Sequence, residues 1–151
     1  MNNGKALLYQ FEHRLEICIS ELGLSENDNF VFHKISGFTN SAGNLVLHIN
    51  GNLRYFIGNI LGNSGYIRNR EYEFAATFVS REELKDQCVE TISELRETFH
   101  TLDEDDLDKI YPAKLDFLPG TWTSREFLTH LIAHQAYHLG QINTLRRILN
   151  P

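Results

Sequence analysis

Positive charge is in short supply in this chain: 14 Lys and Arg stand against 20 Asp and Glu, a net charge of −6 at pH 7. That balance favours solubility and argues against nucleic acid as the main partner, because phosphate binding draws on clustered cations. The one basic pair, Arg146-Arg147, falls at the end of an expected helix, where cations suit the dipole. Cysteine is scarce as well. Cys18 and Cys88 both fall on apolar faces of expected helices, so two buried free thiols are expected rather than a disulfide. Such usage fits a reducing compartment, and a cytoplasmic protein is the expectation. Long apolar runs are missing too. Met1-Asn2-Asn3-Gly4-Lys5 has none of the hydrophobicity of a signal peptide. The stretch from Leu45 to Leu61 is broken by His48, several Asn and Arg54, so no membrane span is expected. Internal repeats and low-complexity tracts are also lacking.

What is present suits one domain over residues 1–151. A chain of this length buries a core without disulfides or a structural metal. Four segments carry helical periodicity. The first, from about Asn3 to Leu22, spaces Leu7, Leu8, Phe11, Leu15, Cys18 and Leu22 by one, three or four, and Gly23 is placed to end it. The second follows the cap candidates Thr39-Asn40-Ser41 and runs to about Leu61, with Leu45, Ile49, Leu53, Phe56 and Ile60 as its stripe and Gly62-Asn63 as its close. The third opens on Ser80-Arg81-Glu82-Glu83, a capping-box pattern, and buries Leu84, Cys88, Ile92, Leu95 and Phe99. The fourth opens on a second such pattern, Thr123-Ser124-Arg125-Glu126, and extends nearly to Pro151. An all-α four-helix bundle follows. Of the connections, Asn27 to Phe38 contains Phe30-Val31-Phe32, read as a short extended piece. Asn63 to Val79 is long enough for a crossover, and acidic Asp103 to Gly120, with Pro112 and Pro119, is expected to be an exposed loop with little helix.

The chemistry concentrates in helix four, where His130, His134 and His138 stand one turn apart. With Phe127 at zero and about 100° per residue, Leu131, Ile142, Leu145 and Leu149 fall within about 60° of it. His134 and His138 fall about 20° either side of zero and His130 about 60° off, towards Tyr137. Two histidines thus take positions that a soluble helix normally gives to Leu or Ile, a costly choice unless something binds them. A single inward His is more often a hydrogen-bonded core residue. A pair at i and i+4 reverses that preference, since both imidazoles can reach one ion.

Two ligands need a third from elsewhere, because an open catalytic site usually has three. His48, mid-way along helix two, is the best candidate; His13 and His33 sit in weaker settings, and His100 ends helix three beside an acidic loop. On its own wheel His48 lies about 100° from the middle of the stripe, near Asn52 and Tyr55. Gln135 stands where a zinc protease would place its general base, and the Glu-x-x-His pattern of di-iron bundles is missing. A mononuclear, all-histidine site is what remains.

The spacing His130-x-x-x-His134-x-x-Tyr137-His138-x-Gly140-Gln141-Ile142 resembles the helix-four signature of the DinB/YfiT-like superfamily. Arg68-Asn69-Arg70-Glu71-Tyr72-Glu73-Phe74 resembles the Arg-x-Arg-x-x-Glu-Phe connection of one uncharacterised branch. There it also follows a helix reading His-x-x-x-Asn-Leu, as His48 to Leu53 does. The two matches span about half of the chain. Leu139 departs from the pattern, since many relatives have Arg before the Gly-Gln. The resemblance implies a four-helix bundle with a long crossover, often a homodimer, carrying one divalent metal on His48, His134 and His138, with His130 not a ligand. Relatives include transferases that join a low-molecular-weight thiol, such as bacillithiol or mycothiol, to electrophiles, and metal-dependent hydrolases.

A metal in such a site lowers the pKa of water or of a thiol, giving a nucleophile at neutral pH. The leading expectation is therefore a thiol-dependent transferase or a hydrolase acting on small molecules, with zinc or nickel foremost and iron or manganese also admitted by imidazole ligands. A non-catalytic metal or small-molecule binder is the second reading. A structural bundle with a metal-free histidine core is the third. No separate acid or base stands out. Tyr137 is a candidate hydrogen-bond donor, though packing is the commoner role. Arg68 and Arg70 are candidate anion contacts, with an ion-paired loop anchor involving Glu73 the favoured alternative. Gly140 and Gln141 are expected to allow close helix packing and a core hydrogen bond, and Asn52 and Asn59 to be polar edge residues or interhelical bonds.

Overall fold

The computed structural model describes residues 3–24 and 28–149. The start of the expected segment at Asn27, the opening Met1-Asn2 and the last residues, Asn150 and Pro151, lie outside the described residues. Six α-helices are found among those described: α1 (Asn3–Gly23), α2 (Ala42–Leu53), α3 (Arg70–Ala75), α4 (Arg81–Thr101), α5 (Glu104–Asp108) and α6 (Ser124–Leu149). The four long ones form the bundle. α1 packs on α4 and α6, and α2 packs on the same two, so consecutive α1 and α2 lie across the diagonal. Among the described residues, no helix is long and apolar enough to cross a membrane.

Local sequence fixes the helix starts. Ser80 Oγ accepts from the Glu83 N–H at 3.2 Å. Thr123 and Glu126 cap reciprocally, with Thr123 N–H donating to Glu126 Oε2 at 2.8 Å and Glu126 N–H to Thr123 Oγ1 at 3.2 Å. Ser41 caps α2 through Asn44 in the same reciprocal way. Each such cap stabilises its helix by about 1 kcal/mol. Phe11, Leu15 and Leu22 from α1, Leu45, Ile49 and Leu53 from α2, Leu84 and Leu95 from α4, and Phe127 and Leu145 from α6 fill the core. Fully burying each such side chain stabilises the fold by about 1.5–3 kcal/mol. Cys18 and Cys88 are buried free thiols, as their positions on the apolar faces imply.

Four expectations are corrected in whole or in part. Helix two is not amphipathic: every residue from Ala42 to Leu53 is buried, because α3, α4 and α6 cover it. Its α geometry also ends at Leu53, and Arg54–Asn59 form a π-helical turn, with the Ile60 N–H bonded to Tyr55 O and the Gly62 N–H to Ile57 O. Asn63 then takes φ 53, the left-handed cap conformation expected just past a helix end. Second, Asp28–Phe30 is a 3₁₀ turn rather than an extended piece, with Phe30 and Val31 buried. Third, the connection after α4 is mostly exposed with little helix, as expected, but it is tied to the core. It holds α5, capped by Asp103, and buries Leu107, Tyr111 and Leu115. The Tyr111 hydroxyl donates to Phe56 O at 2.7 Å, within the π turn. Fourth, a β-carbon on Gly140 would meet nothing within 4 Å, so this glycine serves no close packing within the chain.

Candidate metal centre

The centre forms where the middle of α2 faces the middle of α6. His48 is 5% exposed. Its Nδ1 lies 2.9 Å from Glu73 Oε2, and Phe74 packs against its ring. Glu73 is held in turn by Arg68, whose Nε donates to Oε1 at 2.7 Å and Nη2 to Oε2 at 2.8 Å. Arg68 Nη2 also lies 3.2 Å from Nδ1, but the nearer carboxylate, which only accepts, favours the tautomer with the proton on Nδ1 and the lone pair on Nε2. Burial alone would raise the Glu73 pKa, but the hydrogen bonds from Arg68 and His48 hold it below its ordinary value. α3 reaches this position because the Asn44 amide donates to Glu73 O at 3.0 Å and to Ala76 O at 2.9 Å.

Helix α6 supplies the other side. His138 Nδ1 lies 2.8 Å from Gln141 Oε1, which likewise leaves Nε2 as a lone-pair donor. Both free Nε2 atoms point at His134 Nε2, at 3.3 Å from His48 and 3.1 Å from His138. The three ligand atoms lie within 4.8 Å of one another, and this is the one such group of three or more among the described residues. Burial first, then the charges of His138 and His48, push His134 down to about 4. Burial also lowers His138, against the opposing effect of Gln141. Both are therefore neutral at pH 7, the form that binds metals.

The donor set fits a cation. His134 Nε2 can give a proton to one neighbour only, so without a cation at least one contact sets lone pair against lone pair. Metal–imidazole bonds of about 2.0–2.1 Å in a tetrahedral set place neighbouring nitrogens about 3.3–3.4 Å apart. The observed 3.1 and 3.3 Å are close to that edge.

The wheel centred on Phe127 placed His134 and His138 near the middle of the apolar stripe, but the buried face is displaced from that centre. Leu128 and Gln135 are buried alongside Phe127, Leu131, Ile142 and Leu145, so the buried face is centred towards Leu131. His134 and His138 lie on its shoulder, half-buried, which leaves the centre open to one side. His130 is half-buried between Trp122 and Phe127. Tyr137 is 64% exposed; its ring lies edge-on to His138 at 5.1 Å, and Gln141 Nε2 donates to its hydroxyl at 3.4 Å. Arg70 lies over the Phe74 ring. His13, His33 and His100 are exposed and remote from the cluster. Sequence reasoning missed Asn44 and Gly51, and gave Gln141 a core hydrogen bond where the structure gives it His138. The spacing of three between His138 and Gln141, one helical face, was the available signal.

A cleft of about 410 Å³ opens beside the cluster, bounded by His48, Asn52 and Phe56 on one wall and His130, Leu131 and His134 on the other. No curated protein matches the chain. The family model of the DinB superfamily matches residues 7–142, which take in all three histidines, their carboxylate and amide partners, and most of each long helix of the bundle. With that match added to the all-α bundle and the converging imidazoles, the chain belongs to the DinB superfamily.

Proposed function

We propose that this protein is a divalent-metal-dependent enzyme acting on small molecules, either a thiol-dependent transferase or a hydrolase. The observation that carries the reading is the convergence of three imidazole Nε2 atoms, two of them oriented by Glu73 and Gln141, beside an open cleft. His48, His134 and His138 would hold one ion, with zinc or nickel first and iron or manganese next. Bound there, the ion would supply Lewis acidity, making a nucleophile of a thiol or a water at neutral pH.

The chain's own residues do the rest. Glu73 fixes the tautomer and plane of His48, and Arg68 fixes Glu73. Gln141 does the same for His138, with Tyr137 bracing its amide. Phe56 and Leu131 give the cleft apolar walls that keep water sparse around the reacting groups. A second reading, a metal-holding binder without turnover, is favoured by the absence of any carboxylate among the residues lining the cleft. His130, half-buried at its edge, is the one titratable group there that is neither a proposed ligand nor an arginine. A homodimer is proposed on the resemblance to the family, and sedimentation equilibrium tests it.

Elemental analysis of untagged protein, beside the His134→Ala/His138→Ala double variant, tests the central reading. About one divalent ion per chain, lost in the variant, supports it. No ion after reconstitution with zinc, nickel or manganese sinks it. Substrate-dependent turnover that disappears in His138→Ala separates the enzyme from the binder.

A further inference from the structure

The cleft beside the histidines carries polar groups that nothing among the described residues satisfies. Asn52 is 7% exposed, and its carbonyl oxygen is buried without a hydrogen-bond partner. Neither polar atom of its amide bonds to another described residue. A buried amide with no internal partner is rare in folded proteins, and its orientation is then set by what enters beside it. The Arg70 guanidinium lies 5.2 Å above the Phe74 ring at the rim of the same cleft. No carboxylate of the described residues pairs with it, whereas its neighbour Arg68 is committed to Glu73. The same cleft is lined by the apolar surfaces of Phe56, Phe117 and Leu131. The volume of about 410 Å³ is that of a small-molecule site.

From this pattern we infer that the cleft binds a small carboxylate that also carries an amide and an apolar group. The apolar group packs between Phe56, Phe117 and Leu131. The amide pairs with Asn52, which can donate and accept at once. The carboxylate meets Arg70, whose planar fork suits it better than an ammonium would. The inference rests on the cleft being the working side of the histidine centre, and it names the class of molecule placed there. Such a carboxylate belongs equally to a thiol cosubstrate or to its electrophilic partner. The geometry addresses the shared chemistry.

N-benzoylglycine has all three elements and serves as the probe. Binding is read by isothermal titration and by shifts of the histidine imidazole resonances, on metal-free and on zinc-loaded protein. The expected result is saturable binding with shifts of His130 and His134, weakened about tenfold when the methyl ester replaces the carboxylate. The N-methyl analogue, without its amide N–H, is weaker as well. Arg70→Gln and Asn52→Leu each reduce affinity for the parent probe about tenfold and abolish the respective analogue difference. Arg70 is exposed, so its variant folds whatever becomes of Asn52→Leu. Absence of binding, or equal affinity for probe, ester and variants, overturns the inference. Binding seen only with zinc and unchanged in Arg70→Gln places the carboxylate elsewhere and overturns it too. The two readings fail separately: stoichiometric zinc without probe binding removes this inference alone, and probe binding without zinc uptake removes the metal reading alone.

Discussion

A β-carbon on Gly51 would stand 2.9 Å from Glu73 Cδ and closer still to Oε1. Gly51 and Glu73 are therefore complementary: the bare backbone of α2 leaves the space that lets a buried carboxylate lie against His48, one helical turn away. A methyl group there pushes against the carboxylate rather than against a flexible chain end, because Arg68 grips both oxygens. Gly51→Ala is expected to leave the bundle folded and to weaken metal retention about 10- to 100-fold, the range typical of lost support to a ligand. Competition with a chromophoric chelator measures this. Unchanged affinity would show that Glu73 does not act through His48.

Removing the charge rather than the space gives a second expectation. Glu73→Gln keeps the shape but frees Arg68 and no longer fixes the protonated Nδ1 of His48. Metal affinity should fall by a similar 10- to 100-fold, and thermal stability should drop, since Arg68 is left half-buried beside a neutral amide. Arg68→Gln should have the smaller effect on metal affinity, because His48 can still donate to the carboxylate. If Arg68→Gln proves the more damaging, the support of His48 runs through the arginine.

The pH dependence of the metal-free protein has a definite sign. His134 is pushed down to about 4 and His138 is lowered too, both mainly by burial. Between the folded value and the ordinary value near 6.5, the unfolded chain binds protons that the folded chain refuses. Stability is therefore fully present above about pH 6.5 and declines as the pH falls towards 4. Urea midpoints at pH 7, 6 and 5 should fall in that order, and His134→Leu should flatten the trend. A flat profile in the parent protein would refute the depressed histidine. Acid should also release bound metal across the same range, since protons compete for the same nitrogens.

Tyr111 tests the irregular part of α2. Its hydroxyl donates to Phe56 O inside the π turn, where the ring is also packed on Phe127. Tyr111→Phe keeps the packing and leaves that carbonyl unpaired, at an expected cost of about 1–3 kcal/mol. Chemical denaturation reads the cost directly, and hydrogen exchange at Ile60 and Gly62 should quicken selectively.

Much of the bundle was legible because its signals are local. Apolar spacing by three and four marks α1, α4 and α6, and Ser80 and Thr123 announce their helices through residues three positions on. His134 and His138 were legible for the same reason, being neighbours on one helix. His48 was not legible from spacing, because α2 is buried on every face and a wheel has nothing to distinguish there. Its candidacy rested on its place mid-way along helix two and then on the resemblance in motif, and the structure brings its Nε2 to 3.3 Å from His134. Gln135 escaped notice as a buried residue, since its amide reaches Phe11 O across the sequence. The connection after α4 was read rightly as mostly exposed, but its anchors Leu107, Tyr111 and Leu115 were not seen, because their burial depends on partners far along the chain.

The π turn at Arg54–Asn59 has a consequence for how this chain can vary in length. A π turn holds one residue more than the α turn it replaces, so it behaves as an insertion absorbed inside a helix without moving either flank. Deleting a single residue there would restore an uninterrupted α-helix, keeping His48 turned to α6 while Gly62 still faces Thr98 of α4. Only the bulged residues would lose their places, and Phe56 is the one among them that walls the cleft. The helix thus holds a one-residue gauge between two states: a regular, more stable rod with a reshaped cleft, and the present bulged form that sets an aromatic ring beside the histidines.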